Sequence, residues 1–175
     1  MRNVFFLLML LGLMGCAVTK PYQRPPAETT LAERERVYAQ DKVAYHWFTV
    51  ITVGRRAFNY SGPPPLSNRI ARYFSSGGAD DAADLARRAN PYYWAAIAGA
   101  LVGVASGVAL YNNHPDNESW FMVPALAGLG TELFSIEWGN HRYIQPAIRE
   151  YNHYIRQDLG LPPDVSPTAG LEGQP

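Results

Sequence analysis

The chain has one cysteine, Cys16, in 175 residues. A single cysteine excludes an intramolecular disulfide and a thiolate metal cage. An excess of either charge is also missing: fifteen Lys and Arg balance fifteen Asp and Glu. A nucleic-acid-binding surface needs clustered basic charge, so no nucleic-acid partner is expected. Charged residues of either sign reach only 17% of the chain, beside 15 Gly and 14 Pro, which argues against a helical bundle with a well-charged surface. No serine sits in a nucleophile-elbow context, and no glycine-rich loop with a following Lys joins a strand to a helix. Enzymatic activity is therefore not expected.

What is present begins at the N-terminus. Met1-Arg2-Asn3 is short and positive, Val4 to Met14 is apolar, and Gly15 and Cys16 follow. The apolar run is too short for a stable span and has the layout of a secretory signal peptide. Leu13-Met14-Gly15-Cys16 resembles the lipobox of bacterial lipoproteins, although Met14 departs from the usual small or β-branched residue. The resemblance implies cleavage after residue 15, a covalent lipid on Cys16 as the only attached group, and periplasmic exposure. Ala17 stands where the family's inner-membrane retention signal would place Asp, so the outer membrane is the implied destination. Two or three acyl chains anchor stably where one is marginal. Residues 16–29, with Pro21, Pro25 and Pro26, read as an extended tether.

Residues 30–90 read as a small helical region. Thr30-Leu31-Ala32-Glu33 is a capping box that predicts a helix start. Leu31, Tyr38 and Tyr45 recur at heptad spacing and suggest one thin apolar stripe. Trp47 to Val53 is β-branched and aromatic, and periodicity leaves helix and strand both open. Further helices are predicted from about Ser67 to Phe74 and from Asp80 to Ala89, separated by Gly77-Gly78 and stopped at Asn90-Pro91.

Residues 91–138 carry two long apolar stretches around a polar turn, predicting an antiparallel helical hairpin. Pro91 to Tyr111 has no charged residue and suffices, at ~1.5 Å per residue, for a ~30 Å hydrocarbon core. Tyr92, Tyr93, Trp94 and Tyr111 frame it, and Trp120 and Trp138 frame its partner, in the manner of interfacial aromatic belts. Ala95, Gly99, Gly103 and Gly107 form a small-residue stripe that admits close helix approach. It is similar to the glycine zippers of some bacterial envelope proteins. Pairing 111 with 120 sets Gly107 against Pro124, Gly103 against Gly128, and Gly99 against Glu132, with Gly99 making room for the acid. An alternative contact stripe is Ala127, Thr131 and Ser135. Glu132 is the candidate functional acid, since an acid at mid-membrane costs ~2.5–3.5 kcal/mol. The rival expectation is a hairpin buried as the core of a water-soluble helical domain. A membrane hairpin with a lipidated Cys16 leaves Arg87, Arg88 and Arg142 on the periplasmic side, against the positive-inside tendency of an inner membrane.

Residues 139–160 read as an amphipathic helix, with Ile144, Ile148, Tyr151, Ile155 and Leu159 on one face, Pro146 as a kink or first turn, and Gly160 as terminator. Ile144 to Tyr154, with Tyr151-Asn152, is similar to a helix that follows such hairpins in bacterial envelope proteins. Residues 161–175 read as a disordered tail. Glu137, His141, Glu150 and His153 are the one carboxylate–histidine set to weigh for a metal, but a di-metal bundle needs more ligands than these, so no metal is expected. His46 and His114 have no nearby ligand set.

The expected fold is mainly α: a lipid-anchored small helical region, an apolar hairpin and a closing amphipathic helix. The expected function is a non-enzymatic envelope lipoprotein, an accessory or scaffold subunit of a membrane-associated assembly. Its partners would be membrane lipid and a protein partner or second copy met through the hairpin. The alternatives are a glycine-zipper oligomer forming a pore and, last, a metal-dependent enzyme.

Overall fold

The computed structural model describes residues 20–47, 50–58, 65–112 and 118–163. Residues 1–19, which include Cys16, and residues 48–49, 59–64, 113–117 and 164–175 lie outside the described residues, and with them the expected signal peptide, the link between the hairpin helices and the C-terminal segment. The protein is mainly α, with six α-helices and one small sheet among the described residues.

The first helix, α1 (Leu31–Asp41), starts at the expected capping box: Thr30 Oγ1 accepts from the Glu33 amide at 3.3 Å, and Glu33 accepts from the Thr30 amide at 3.0 Å. These bonds to its charged form hold the exposed Glu33 carboxyl below the usual carboxylate range. The heptad stripe does not survive. Leu31 is exposed, Tyr38 is buried, and Tyr45 belongs to a strand. The β-branched and aromatic run after Asp41 forms an antiparallel meander of β1 (Val43–Trp47), β2 (Val50–Val53) and β3 (Arg56–Ala57). Val43 pairs with Val53 and Tyr45 with Ile51, with an irregularity before Trp47. Gly54 turns β2 into β3 at φ +57°, and a Cβ there would meet the Gln40 carbonyl oxygen at 2.4 Å. Only glycine meets both demands.

Three helices complete the domain, the last of them packed against β1. These are α2 (Leu66–Ser76), α3 (Asp80–Arg87) and α6 (Gln145–Asp158). Alanines 82, 83 and 86 make the buried face of α3 nearly flat, so neighbouring helices approach closely. The predicted apolar face of α6 is buried at Ile144, Ile148, Tyr151, Ile155 and Leu159. Tyr151 stacks on Phe74 with ring centroids 4.3 Å apart, and Tyr73 joins both rings. Gly160, at φ +64°, ends α6 with the Leu161 amide bonded back to the Arg156 carbonyl.

The segment read as an extended tether is instead strapped to this domain from Lys20 onward. Tyr22 is buried and donates to Asp158 at 2.6 Å, and Arg24 pairs with the same carboxylate at 3.3 Å. Arg34 binds the Thr29, Ala27 and Leu159 carbonyls. Proline-fixed backbone lowers the entropy lost on docking such a strap.

The hairpin consists of α4 (Asn90–Asn112) and α5 (Glu118–Gly139). Pro91 opens α4 in its first turn, where the missing N–H costs nothing. The return helix does not stop at Gly139. It continues through a π-turn, Asn140–Ile144, into α6. The Gln145 amide bonds five residues back to the Asn140 carbonyl. Pro146 explains this turn: in a regular helix its ring would collide with the Arg142 carbonyl, and the wider turn relieves that. The turn buries Asn140 and Ile144 while leaving His141 and Arg142 exposed.

Candidate functional site

The hairpin is not the core of the molecule. Among the described residues the buried cluster is built from the strap, α1, the sheet, α2, α3, the π-turn and α6, and it reaches the hairpin only at Tyr93. One helical stretch, Asp80–Ala109, is long and apolar enough to cross a membrane, with mean hydropathy 1.5, and only 17% of its apolar window is buried. The second hairpin helix is apolar as well but carries two acids beyond its first residue. Glu132 and Glu137 lower its hydropathy.

Among the described residues, apart from Leu31 and Val50, the exposed large hydrophobic side chains lie on the hairpin. Leu101, Val104 and Val108 project from α4, and Val123, Leu126, Leu133 and Phe134 from α5. Such an area exceeds the apolar patches that monomers normally leave to water. Neither helix has a polar side to turn outward. In α4 the residues are uncharged all round, and a helix that is apolar all round is buried in protein or lipid.

The glycine stripe works inside the chain. A Cβ on Gly99 would sit 2.7 Å from the Gly128 carbonyl oxygen and 3.1 Å from the Glu132 amide nitrogen. One on Gly128 would sit 2.6 Å from the Gly99 carbonyl oxygen and 2.7 Å from the Gly103 amide nitrogen. One on Gly103 meets ordinary contacts from 3.6 Å outward, and Gly107 has nothing within 4 Å. The closest approach of the two backbones therefore lies at Gly99, Gly103 and Gly128. Three expectations need correction. Ala95 is exposed, and the buried small residue at the base is its neighbour Ala96. Gly107 packs against nothing on α5. Gly99 makes room for the backbone at Gly128 and Glu132, not for the acid side chain. The alternative stripe contributes in part: Thr131 touches the Gly99 position, Ser135 is buried and Ala127 is exposed. Thr131 satisfies its hydroxyl by donating to the Ala127 carbonyl at 2.8 Å.

Glu132 is half-buried, and no hydrogen bond or ion pair forms on its carboxylate among the described residues. Glu137 and His141 lie exposed at the base of the hairpin, while His153 contacts Gln157 at 2.7 Å. No group of three or more metal-ligating side chains converges among the described residues.

Sequence reasoning missed the junction between hairpin and domain. Asn140 is fully buried, accepts from the Tyr93 hydroxyl and donates to the Tyr45 hydroxyl at 3.3 Å. One side chain thus ties α4, the π-turn and β1 together. Gly139 allows the approach of Tyr92, whose Cβ lies 3.0 Å from a Cβ built there. Tyr92 in turn packs on Tyr143 with ring centroids 5.6 Å apart. Pro146, six residues after Asn140, was the available signal for an irregular turn. No family model, no curated protein and no solved structure matches this chain.

Proposed function

We propose that the protein is a non-enzymatic component of a bacterial cell envelope. Its small globular domain is held at a membrane by the inserted hairpin and by acyl chains on Cys16, and it serves there as an accessory or scaffold subunit. The observation that carries this reading is the hairpin's exposed apolar surface, unbroken around α4. At ~1.5 Å per residue, the 23 residues of α4 reach about 34 Å, enough for a ~30 Å hydrocarbon core. Inside the bilayer Glu132 needs a polar partner, because an unaccompanied acidic side chain there is costly. The outer membrane is the destination that Ala17 favours by resemblance to lipoproteins.

The test is carbonate extraction of a Cys16→Ser chain exported by an ordinary cleavable signal peptide. Retention in the membrane pellet is expected. Release into the soluble fraction means that lipid was the only anchor, and the inserted hairpin is then wrong.

A second reading is self-association through the hairpin. Gly107 and Gly130 have open space where a Cβ would be, and Glu132 offers an unused carboxylate to a neighbour. A pore built on Gly99 and Gly103 is less favoured, because Gly128 of the same chain already occupies that groove. A detergent-stable oligomer lost in Gly130→Leu supports this reading, and a wild-type monomer removes it.

A further inference from the structure

The base of the hairpin is where a membrane surface would lie if the hairpin is inserted, and its chemistry is ordered. Arg88 follows α3 and Arg142 sits on the π-turn, and both are exposed. Tyr92 of α4 packs on Tyr143 of the π-turn with ring centroids 5.6 Å apart, which sets the end of α3 beside that turn; hydrogen bonds from Arg142 and Tyr92, with the positive charge of Arg142 and Arg88, hold the Tyr143 phenol below its ordinary range. Among the described residues neither arginine is in an ion pair, whereas Arg87 is paired with Asp84. One step toward the hairpin, Trp94 and Trp138 are 53% and 47% exposed. Phe134 stacks on Trp138 at 5.7 Å, and with Arg142 they line a shallow groove of about 350 Å³. Beyond them α4 carries no charge at all.

The order along the hairpin is therefore cation, amphipathic aromatic, then hydrocarbon. A glycerophospholipid presents the complementary order: phosphate, ester-bearing interface, acyl chain. Tryptophan prefers that interface, and arginine binds phosphate through a planar fork of donors. Glu137 is the carboxylate on the groove, with His141 beside it. Arg142 lines the groove opposite this carboxylate, and Arg88, at the end of α3, adds a second guanidinium group to the base of the hairpin.

We propose that Arg88, Arg142, Trp94 and Trp138 form a binding site for the headgroup of an anionic glycerophospholipid. The phosphate lies at the two guanidinium groups and an acyl chain runs along Phe134. This inference rests on the inserted hairpin. Each basic side chain near an anionic lipid surface confers roughly a five-fold preference, so the pair confers on the order of twenty-fold.

The experiment is native mass spectrometry of the detergent-purified Cys16→Ser chain, loaded with equal phosphatidylglycerol and phosphatidylcholine. Wild type is expected to retain phosphatidylglycerol in large excess, Arg88→Gln/Arg142→Gln to retain both alike, and Arg88→Lys/Arg142→Lys to keep most of the preference. The lysine pair guards against a variant that simply misfolds. Equal retention by wild type, or an unchanged preference in the glutamine pair, overturns the site. Loss of the preference in excess inorganic phosphate marks a free-phosphate site and overturns the lipid assignment. Carbonate extraction separates the two levels: a chain that stays in the membrane but shows no lipid preference loses only this inference, and a chain that washes out loses both.

Discussion

Asn152 uses both ends of its amide on the backbone of Val43. Its Oδ1 accepts from the Val43 amide at 2.9 Å, and its Nδ2 donates to the Val43 carbonyl at 2.8 Å. The side chain thus completes the first residue of β1 as a further strand would, and it fixes the sheet on α6. Backbone groups at a sheet end must find partners when water is excluded. Asn152→Ala leaves two such groups without one, so a loss of about 1–3 kcal/mol is expected. Thermal unfolding of the Cys16→Ser chain checks this. Asn152→Asp keeps the acceptor but loses the donor, and it should fall between the two. Equal stability of all three would mean that water replaces the amide at no cost.

The glycines of the hairpin are expected to rank by position. At Gly99 and Gly128 a new Cβ meets backbone atoms at 2.7 Å and 2.6 Å, and backbone cannot rotate aside. At Gly103 the nearest contact is ordinary, and at Gly107 and Gly130 there is none. Alanine at 99 or 128 should loosen the hairpin by about 1–3 kcal/mol, the usual cost of overpacking. Alanine at 107 or 130 should be neutral or slightly favourable, since glycine is the poorer helix former. Thermal unfolding in detergent reads the difference. A flat series would mean that the helices do not pack at this register.

Much of this molecule was legible in local signals, and the rest lay in contacts between distant segments. Thr30-x-x-Glu33 announced its helix because a capping box is closed within four residues. The face from Ile144 to Leu159 was legible because burial repeats at the helical period. The sheet was not, because Val43 to Val53 gains its partners only when folded back on itself and onto Asn152. Docking of Tyr22 depends on Asp158 at the opposite end of the chain, and no local pattern encodes that pair. At the hairpin the small-residue spacing correctly located the close approach near Gly103 and Gly128 but extended it too far, to Gly107. Spacing records which residues can share a face, and only the packed pair of helices selects which of them a second backbone meets. The girdle at the base was visible as composition. That Tyr143 packs on Tyr92, beside the end of α3, required the π-turn.

Asn140 is expected to couple hairpin and domain. Replacing it with Ala removes the acceptor for Tyr93 and the donor to Tyr45 in a fully buried setting. An unpaired buried hydroxyl costs about 1–3 kcal/mol. The specific expectation is faster amide exchange in β1 and at the start of α4, with α3 unaffected. Uniform acceleration throughout would assign Asn140 a general packing role instead. Asn140→Ala/Tyr93→Phe should recover part of the loss, because it removes the stranded hydroxyl along with its acceptor.

Alkaline conditions are expected to release the N-terminal strap. Burial, the hydrogen bond to Asp158 and the charge of Asp158 raise the Tyr22 phenol well above its ordinary value, against a smaller opposing effect of Arg24. Ionising Tyr22 therefore costs more in the folded chain than in the unfolded one. The stability tied to this group is complete below the unfolded value of about pH 10, and it declines as pH rises from there toward the higher folded value. Tyr151, whose phenol is raised chiefly by burial, acts in the same direction. Tyr22→Phe removes the bond to Asp158, so it should lower stability at about pH 8 by about 1–2 kcal/mol. It should also flatten the decline above about pH 10, because one of the groups that drives it is gone. Urea unfolding across this range distinguishes the two effects. Parallel curves for wild type and Tyr22→Phe would assign the whole alkaline loss to other tyrosines and leave the strap bound when the domain opens.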